Sequence, residues 1–257
     1  MMQTPDLFER LIADAERQPF SGWDFSWLDG RWNTGAVSWN YGEIVCQQMA
    51  GIEVLLDMGT GGGEFLSSLI PLPKRTFATE AYSPNVRVAK ERLEPLGVCV
   101  VEVASDEFLP FVAGAFDLLI NRHESYSVQE VHRILKPNGR FITQQVGGRD
   151  GVGLNELLQE EVKLSFDYWT LDYAVRELEE HGFSLLDQKE EFPEVVFHDV
   201  GAVAYYLKAV PWQIPNFSIA AHRERLQAIH RIIQEKGPLV IQGHRFYLEA
   251  NKQRVSS

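Results

Sequence analysis

The sequence predicts an α/β fold in which a mostly parallel sheet is doubly wound, with helices on both faces. Three observations predict it. From residue 53 onward, short apolar runs of strand length alternate with amphipathic stretches of helix length, which is the rhythm of βαβ crossovers. The first of these runs, Val54-Leu55-Leu56-Asp57-Met58, ends in glycines, Gly59-Thr60-Gly61-Gly62-Gly63. The chain has 257 residues and is 45% hydrophobic, which is enough for a substantial core and too apolar for a disordered chain.

The elements follow in order. Thr4, Pro5 and Asp6 read as a helix start, with Leu7, Phe8, Leu11, Ile12 and Ala15 on one face and an end near Pro19. An aromatic segment comes next: Trp23, Phe25, Trp27, Trp32, Trp39 and Tyr41. Four of the six tryptophans lie between 23 and 39, so the segment is either a cap on the core or part of a substrate pocket or lid. Glu53 to Met58 reads as a buried strand, Glu64 to Ile70 as a helix and Thr76 to Thr79 as a second strand. Ser83-Pro84 starts a helix that ends near Gly97. Val98 to Val103 and Phe116 to Asn121 are the third and fourth strands, Ser127 to Leu135 is helical, and Lys136-Pro137-Asn138-Gly139 is a stop and turn before a fifth strand, Arg140 to Gln145.

Beyond Gly147-Gly148 the rhythm loosens. Thr170 to His181 is a helix closed by Gly182, and Phe183 to Lys189 is a sixth strand. Asp199 to Lys208 and Ser218 to Lys236 are helical, and His244 to Asn251 is the last strand. The expected domains are therefore a helical and aromatic cap (1–50), a Rossmann-like core (51–189), a helical insertion or lid (190–237), and the last strand with a tail (238–257).

Composition narrows the partners. Lys and Arg total 24 against 36 Asp and Glu, a formal net charge of -12. Such a surface repels phosphate backbones, which disfavours nucleic acid and points to a small-molecule substrate. Cys46 and Cys99 form no CxxC pair and sit among apolar residues, so both are expected to be buried free thiols in a reducing compartment. The first residues lack a basic, apolar leader pattern, and no apolar run reaches spanning length, so the expectation is a cytoplasmic protein without a membrane partner. The histidines show no metal-ligand spacing, so no metal is expected.

The glycine loop carries the chemistry. A strand that runs into glycines lets backbone approach a ligand closely. A dinucleotide fingerprint needs G-x-G-x-x-G with pyrophosphate on the helix N-terminus. Gly59 and Gly61 fit that pattern, but Glu64 stands where the third glycine belongs, and its carboxylate would repel a pyrophosphate. The pattern present is Asp57-x-Gly59-x-Gly61-x-Gly63, which suits an adenosyl sulfonium ligand without phosphates. Glu80 stands 21 residues after Gly59 at the end of the second strand, where an acidic side chain can accept hydrogen bonds from both ribose hydroxyls. Asp57 would order the loop and meet the ligand's ammonium through water. Ser105-Asp106 are placed for the adenine, and Asn121 and Arg122 border the same crevice.

These residues resemble a known family. The run from about 53 to 146 looks like a class I S-adenosylmethionine-dependent methyltransferase. The likeness rests on Leu56 to Gly63, Thr79-Glu80-Ala81, Leu109-Pro110-Phe111 before Phe116-Asp117-Leu118-Leu119, and Leu135-Lys136-Pro137-Asn138-Gly139-Arg140-Phe141. One departure is Ser105, where the family often has Asp; Asp106 stands one position on. The resemblance implies a seven-stranded sheet with an antiparallel last strand and S-adenosylmethionine as cofactor. The residues expected to bind it are Asp57, Gly59, Thr60, Gly61, Gly63, Glu80, Ala81, Ser105, Asp106, Asn121 and Arg122.

Methyl transfer needs an aligned nucleophile and, where that nucleophile carries a proton, a base. No Asn-Pro-Pro-Tyr type motif is present; Asn121-Arg122-His123-Glu124 occupies its region. His123 is the candidate base, since histidine titrates near neutrality, and Glu124 would orient it or serve instead. The alternative is that His123 only shapes the cofactor pocket. The favoured reading is a methyltransferase acting on a small molecule. Its alternatives are an RNA or protein methyltransferase and a non-catalytic S-adenosylmethionine-binding protein.

Overall fold

A computed structural model describes residues 6–20 and 24–254. Thr4 and Pro5 of the expected helix start, and Trp23 of the aromatic segment, lie outside the described residues. Along the chain the elements are α1 (Leu7–Arg17), β1 (Trp32–Thr34), α2 (Tyr41–Gln48), β2 (Val54–Met58), α3 (Glu64–Ser68), β3 (Arg75–Glu80), α4 (Ser83–Leu93) and β4 (Val98–Glu102). They continue as β5 (Phe116–Arg122), α5 (Val128–Ile134), β6 (Leu135–Val146), α6 (Val152–Leu158), α7 (Leu171–Glu180), β7 (Phe183–Glu191), β8 (Glu194–Phe197), α8 (Val200–Ala209), α9 (Arg223–Lys236), β9 (Leu239–Gln242) and β10 (Arg245–Lys252).

The chain divides into two compact units, each assembled from three separated segments: 1–37, 148–167 and 192–244 in one, and 38–147, 168–191 and 245–257 in the other. Each has its own apolar core.

The second unit holds the seven-stranded sheet, in the order β4-β3-β2-β5-β6-β10-β7. β2 to β6 run parallel to their neighbours, while β10 lies antiparallel between β6 and β7. The strand order reverses between β2 and β5, and the outside of the carboxyl ends there is where ligands of such sheets bind. β2 is buried at every position, as expected of a strand covered on both faces. Leu56, Met58, Leu119, Val131, Ile134, Phe141 and Leu178 belong to the core. The quoted sequence motifs brace the sheet. Asp117 accepts from Val54 N at 2.9 Å and pairs with Lys136 at 2.7 Å. Glu130 and Arg133 of α5 clamp the Leu109-Pro110-Phe111 loop: Leu109 N donates to Glu130, and Arg133 donates to the carbonyls of Leu109 and Phe111.

The other unit carries a three-stranded antiparallel sheet, β1-β8-β9. α8 is buried over nearly its whole length, which makes it the central helix of that unit. Phe8, Ile12 and Ala15 of α1 and Leu226, Ile229 and Ile233 of α9 share its core. Asp199 accepts from Ala202 N at 2.9 Å, capping α8, and takes the Arg31 guanidinium at 2.8 Å; Arg31 in turn lies 3.8 Å over the Trp27 ring.

Several expectations change. The aromatic segment is not one feature: Phe25, Trp27 and Trp32 pack on the small-sheet unit's core, while Trp39 and Tyr41 belong to the seven-stranded unit. Residues 38–50 therefore go with the sheet rather than with a cap, and 148–167 with the other unit. Residues 239–242 form β9 of the small sheet instead of opening the last strand of the large one. The stop at Lys136 to Gly139 is an irregularity within β6: Asn138 has φ 62, and the register jumps from Leu135 to Arg140. Cys46 and Cys99 are free as expected but exposed, Cys46 on α2 and Cys99 on β4, which is an edge strand. No helix among the described residues is long and apolar enough to cross a membrane.

Candidate functional site

The site is built at the carboxyl ends of β2, β3 and β5. After Met58 the chain enters the glycine loop with Gly59 at φ 68 and Gly61 at φ 61, backbone that residues with a Cβ adopt only under strain. Backbone bonds hold the loop to β3. Thr60 N donates to Thr79 O at 2.9 Å, and Gly61 N donates to Glu80 Oε2 at 2.7 Å. Glu80 Oε1 accepts from Tyr82 N at 2.7 Å. Glu80 is thus a buried carboxylate that joins the glycine loop to the turn after β3, and each of its oxygens retains a further lone pair. Ala81 lies exposed in that turn.

α3 starts at Gly63, where a Cβ would meet Leu93 of α4 at 2.7 Å. Glu64 pairs with Arg92, which also donates to Gly62 O. This pair offsets the charge expected to repel a pyrophosphate. What remains against a dinucleotide is that α3 has only five residues, too few for much of a helix dipole.

Acidic groups crowd this end of the sheet. Asp57 is buried, and burial raises its carboxyl to about 7; the nearby Thr60 hydroxyl and the Arg122 charge pull it down, and Glu80 pushes it up. Thr60 Oγ1 is itself buried beside that carboxyl. Asp106 accepts from Ser125 Oγ at 2.6 Å, and burial raises its carboxyl. Ser105 is exposed beside it. The Glu124 side chain lies over Gly59, with Cγ where a Gly59 Cβ would come within 2.2 Å. Burial raises its carboxyl, and so do Asp106 and Glu80.

β5 supplies the rest. Asn121 is fully buried; its Oδ1 accepts from Thr143 and Gln145, and its Nδ2 reaches Ser125 O at 3.4 Å. Its side chain is thereby taken up inside the sheet, so the expected cofactor contact gives way to a positioning one. Arg122 is exposed, 5.0 Å over the Phe65 ring. His123 has φ 63, and its N donates to Gln144 O at 2.8 Å. Its Nε2 lies 3.1 Å from Gln144 Nε2, and Trp39 Nε1 donates to Gln144 Oε1 at 2.8 Å.

The expectation that His123 titrates near neutrality fails. Crowding by protein and the charges of Arg122 and Arg245 lower the imidazole to about 3. The ring still opens to solvent, which softens the burial contribution, but the two arginines act in the same direction and the ring stays neutral at pH 7. A neutral ring with so weak a conjugate acid makes a poor general base.

Trp39 and Tyr41 entered the sequence reading only as part of the aromatic segment, and Gln144, with Gln145, only as the end of a strand that could reach the pocket. Tyr41 OH accepts from Asn121 N at 3.2 Å and donates towards the carbonyls of Asn121 and Ile142. The signal was Asn40 before Tyr41, whose side chain accepts from Glu43 N and caps α2.

The sequence model of a family described as a methyltransferase domain matches residues 56–143, the stretch that carries the glycine loop, Glu80 and Asn121. Over that stretch the chain is similar to a methyltransferase domain. The chain is also similar to part of Arginine-hydroxylase NDUFAF5 of Danio rerio, with 33% identity over 101 residues, 36% of this chain and 30% of the relative. The chain spans 17 to 30% of the length of the curated relatives it matches. Its fold is that of a Bacillus halodurans protein described as a methyltransferase, at TM-score 0.62 and 20% identity, covering 83% of this chain and 99% of that one. A Haemonchus contortus phosphoethanolamine N-methyltransferase in complex with phosphomonomethylethanolamine and S-adenosylhomocysteine superposes at TM-score 0.50 and 16% identity, covering 84% of this chain and 53% of that one.

Proposed function

We propose that the chain transfers a methyl group from S-adenosylmethionine to a small molecule. The observation that carries this reading is the lock between the glycine loop and Glu80. It stands in an acidic lining of Asp57, Glu80, Asp106 and Glu124. Carboxylates in a partly desolvated crevice favour a cation, and this cofactor carries both an ammonium and a sulfonium. Asp57, Gly59, Thr60, Gly61, Gly63, Glu80, Ala81, Ser105, Asp106 and Arg122 would hold it. When bound, it supplies an electrophilic methyl group on sulfur.

The chain's own residues do the rest. Glu80 and the glycine loop orient the ligand, and Tyr41 and Asn121 hold the turn that bears His123 and Glu124. Glu124 takes over as the group able to receive a proton, because its raised carboxyl is better matched to neutral pH than the imidazole. The net charge of -12 supports a small acceptor over a nucleic acid. The exposed free thiols support a reducing, cytoplasmic setting.

Calorimetry with S-adenosylhomocysteine tests the cofactor, and labelled S-adenosylmethionine with a metabolite extract tests the acceptor. Saturable binding and label in a small molecule are expected. Label only in RNA or protein would move the reading to a macromolecular methyltransferase. Binding without any transfer would leave a cofactor-binding protein, and absence of binding would end the proposal.

A further inference from the structure

The glycines of the loop open different spaces. A side chain at Gly61 would meet nothing within 4 Å, whereas one at Gly63 would meet Leu93 of α4 at 2.7 Å. The first faces open space, and the second is closed by the core. Gly59 is a third case: the space beside its Cα is held by Cβ, Cγ and Cδ of Glu124. A glycine at the end of such a strand serves the close approach of a ligand to backbone. At Gly59 what approaches is a carboxylate side chain of the same molecule.

Packing alone does not favour that arrangement. Glu124 is half-buried, and a carboxylate in a partly desolvated place needs donors. The groups that steady this one are the amide and hydroxyl of Ser125, the next residue. That hydroxyl carries a single hydrogen. It lies 2.6 Å from Asp106 Oδ2 against 3.4 Å from Glu124 Oε1, so the hydrogen goes to Asp106. Asp106 and Glu80 are like charges that act against the Glu124 carboxylate. The backbone beneath is held more firmly. Glu124 O accepts from Gln145 Nε2 at 3.0 Å, and His123 N donates to Gln144 O at 2.8 Å. The turn is fixed to β6 while the side chain it carries is loosely held. Rotation about the side chain's own bonds takes it off Gly59 with the backbone in place.

We propose that the Glu124 side chain is a movable plug of the donor site: it covers Gly59 until S-adenosylmethionine or its product displaces it, and the displaced carboxylate turns from the glycine loop towards the acceptor. Ligand and side chain cannot share the space. Binding therefore selects the conformers in which Glu124 has swung out, and the measured affinity is reduced by the fraction of molecules in which it has not. Transfer gains an order from this. The carboxylate assigned as proton acceptor leaves the donor site only when the donor fills it. The plug rests on the reading of Gly59 as part of the cofactor site.

The test is the binding of S-adenosylhomocysteine to the full chain, by calorimetry and by stopped-flow tryptophan fluorescence. The unaltered protein is compared with Glu124→Ala and Glu124→Gln, and circular dichroism checks that each is folded. Glu124→Ala removes the plug from Cγ outward and should bind about three- to tenfold tighter, the scale of an unfavourable rotamer. The gain should lie in the association rate, with dissociation unchanged, because the plug taxes only the protein without ligand. Glu124→Gln fills the same space and should keep the unaltered constants. A crystal structure of the complex should show Glu124 Cγ away from Gly59 and Glu124 O still on Gln145. Equal constants in all three proteins, weaker binding by Glu124→Ala, Glu124→Gln binding as tightly as Glu124→Ala, or Glu124 still over Gly59 in the complex would each overturn the plug and leave the cofactor reading standing. If none of the three proteins binds S-adenosylhomocysteine, the cofactor reading falls and takes the plug with it.

Discussion

Replacing Asp57 by Asn should make this protein more stable above neutral pH and nearly unchanged near pH 4. Asp57 is 3% exposed in a strand buried along its whole length. Burial raises its carboxyl from 3.8 to about 7. The folded state therefore holds the proton that the unfolded chain has already released. Below pH 4 both states are protonated and the term vanishes. As the pH climbs from about 4 to about 7 the unfolded chain ionises first, and stability falls; above that both states are ionised and the loss is complete. A rise of about three units at about 1.36 kcal/mol each gives a loss of about 4 kcal/mol. Relaxation around Arg122 makes this an upper bound. Asn keeps the shape, cannot ionise, and can still hydrogen-bond the Thr60 hydroxyl beside it.

Thermal unfolding by circular dichroism from pH 4 to 8 measures the effect. The Tm gap between Asp57→Asn and the unaltered protein should open with pH to at most about 8 to 16 °C, at 2 to 4 °C per kcal/mol for a chain of this order of size. Two curves that run parallel across the range would refute the argument. An ammonium prefers the ionised carboxylate, so S-adenosylhomocysteine, whose ammonium would meet Asp57, should expel a proton from the unaltered protein near pH 6 and none from the variant. The gain in stability would then accompany a loss of binding, as expected of a group strained for function.

Other substitutions test other parts of the structure. Glu80→Ala removes acceptors for Gly61 N and Tyr82 N, each worth about 1.5 to 3 kcal/mol when charged; affinity for S-adenosylhomocysteine should drop at least about tenfold, and an unchanged calorimetric constant would take Glu80 out of the site. Gly59→Ala puts a Cβ into φ 68 and against Glu124, so Tm should fall by an amount equivalent to about 1 to 2 kcal/mol, with weaker ligand binding; an unaltered Tm contradicts the loop geometry. Asp199→Ala uncaps α8 and releases Arg31, and should cost about 2 to 4 kcal/mol in urea unfolding, a loss under about 1 kcal/mol being incompatible with the contacts described. His123→Asn should leave the shape of the pH–rate profile unchanged, since the ring is neutral throughout the working range; loss of an acidic limb would restore the imidazole as a titrating base.

The parts of the fold that the sequence made legible are those with strong periodicity or a constrained turn. β2 reads as a strand because five consecutive positions are buried, and α7 because Leu171, Ala174 and Leu178 recur at helical spacing. The small sheet was not legible. Its strands have three or four residues each, too short for a pattern, and β1 pairs with β8 across more than 160 positions, as in Trp32 with Phe197. α2 hid behind Gly42 and its weak amphipathicity, although Asn40 and Glu43 form a readable N-terminus. At the site, Glu80 and the glycines were visible because backbone geometry demands their type. The surroundings of His123 were not, because they depend on Trp39 and Gln144, 84 and 21 positions away.

β10 is the last strand in the chain, yet it occupies an interior place in the sheet, bonded to β6 on one side and β7 on the other. During synthesis β6 and β7 emerge first, and each has an open edge facing the gap until residues 245–252 arrive. Unpaired edges are templates for pairing with other chains, β6 with its buried run more so than β7, whose second half is exposed and charged. The nascent protein is therefore most prone to aggregation between the completion of β7 and the arrival of β10, an interval in which residues 192–244 of the other unit are made. A core in that unit able to fold promptly, around a helix as apolar as α8, would shorten the exposure by keeping the intervening chain compact.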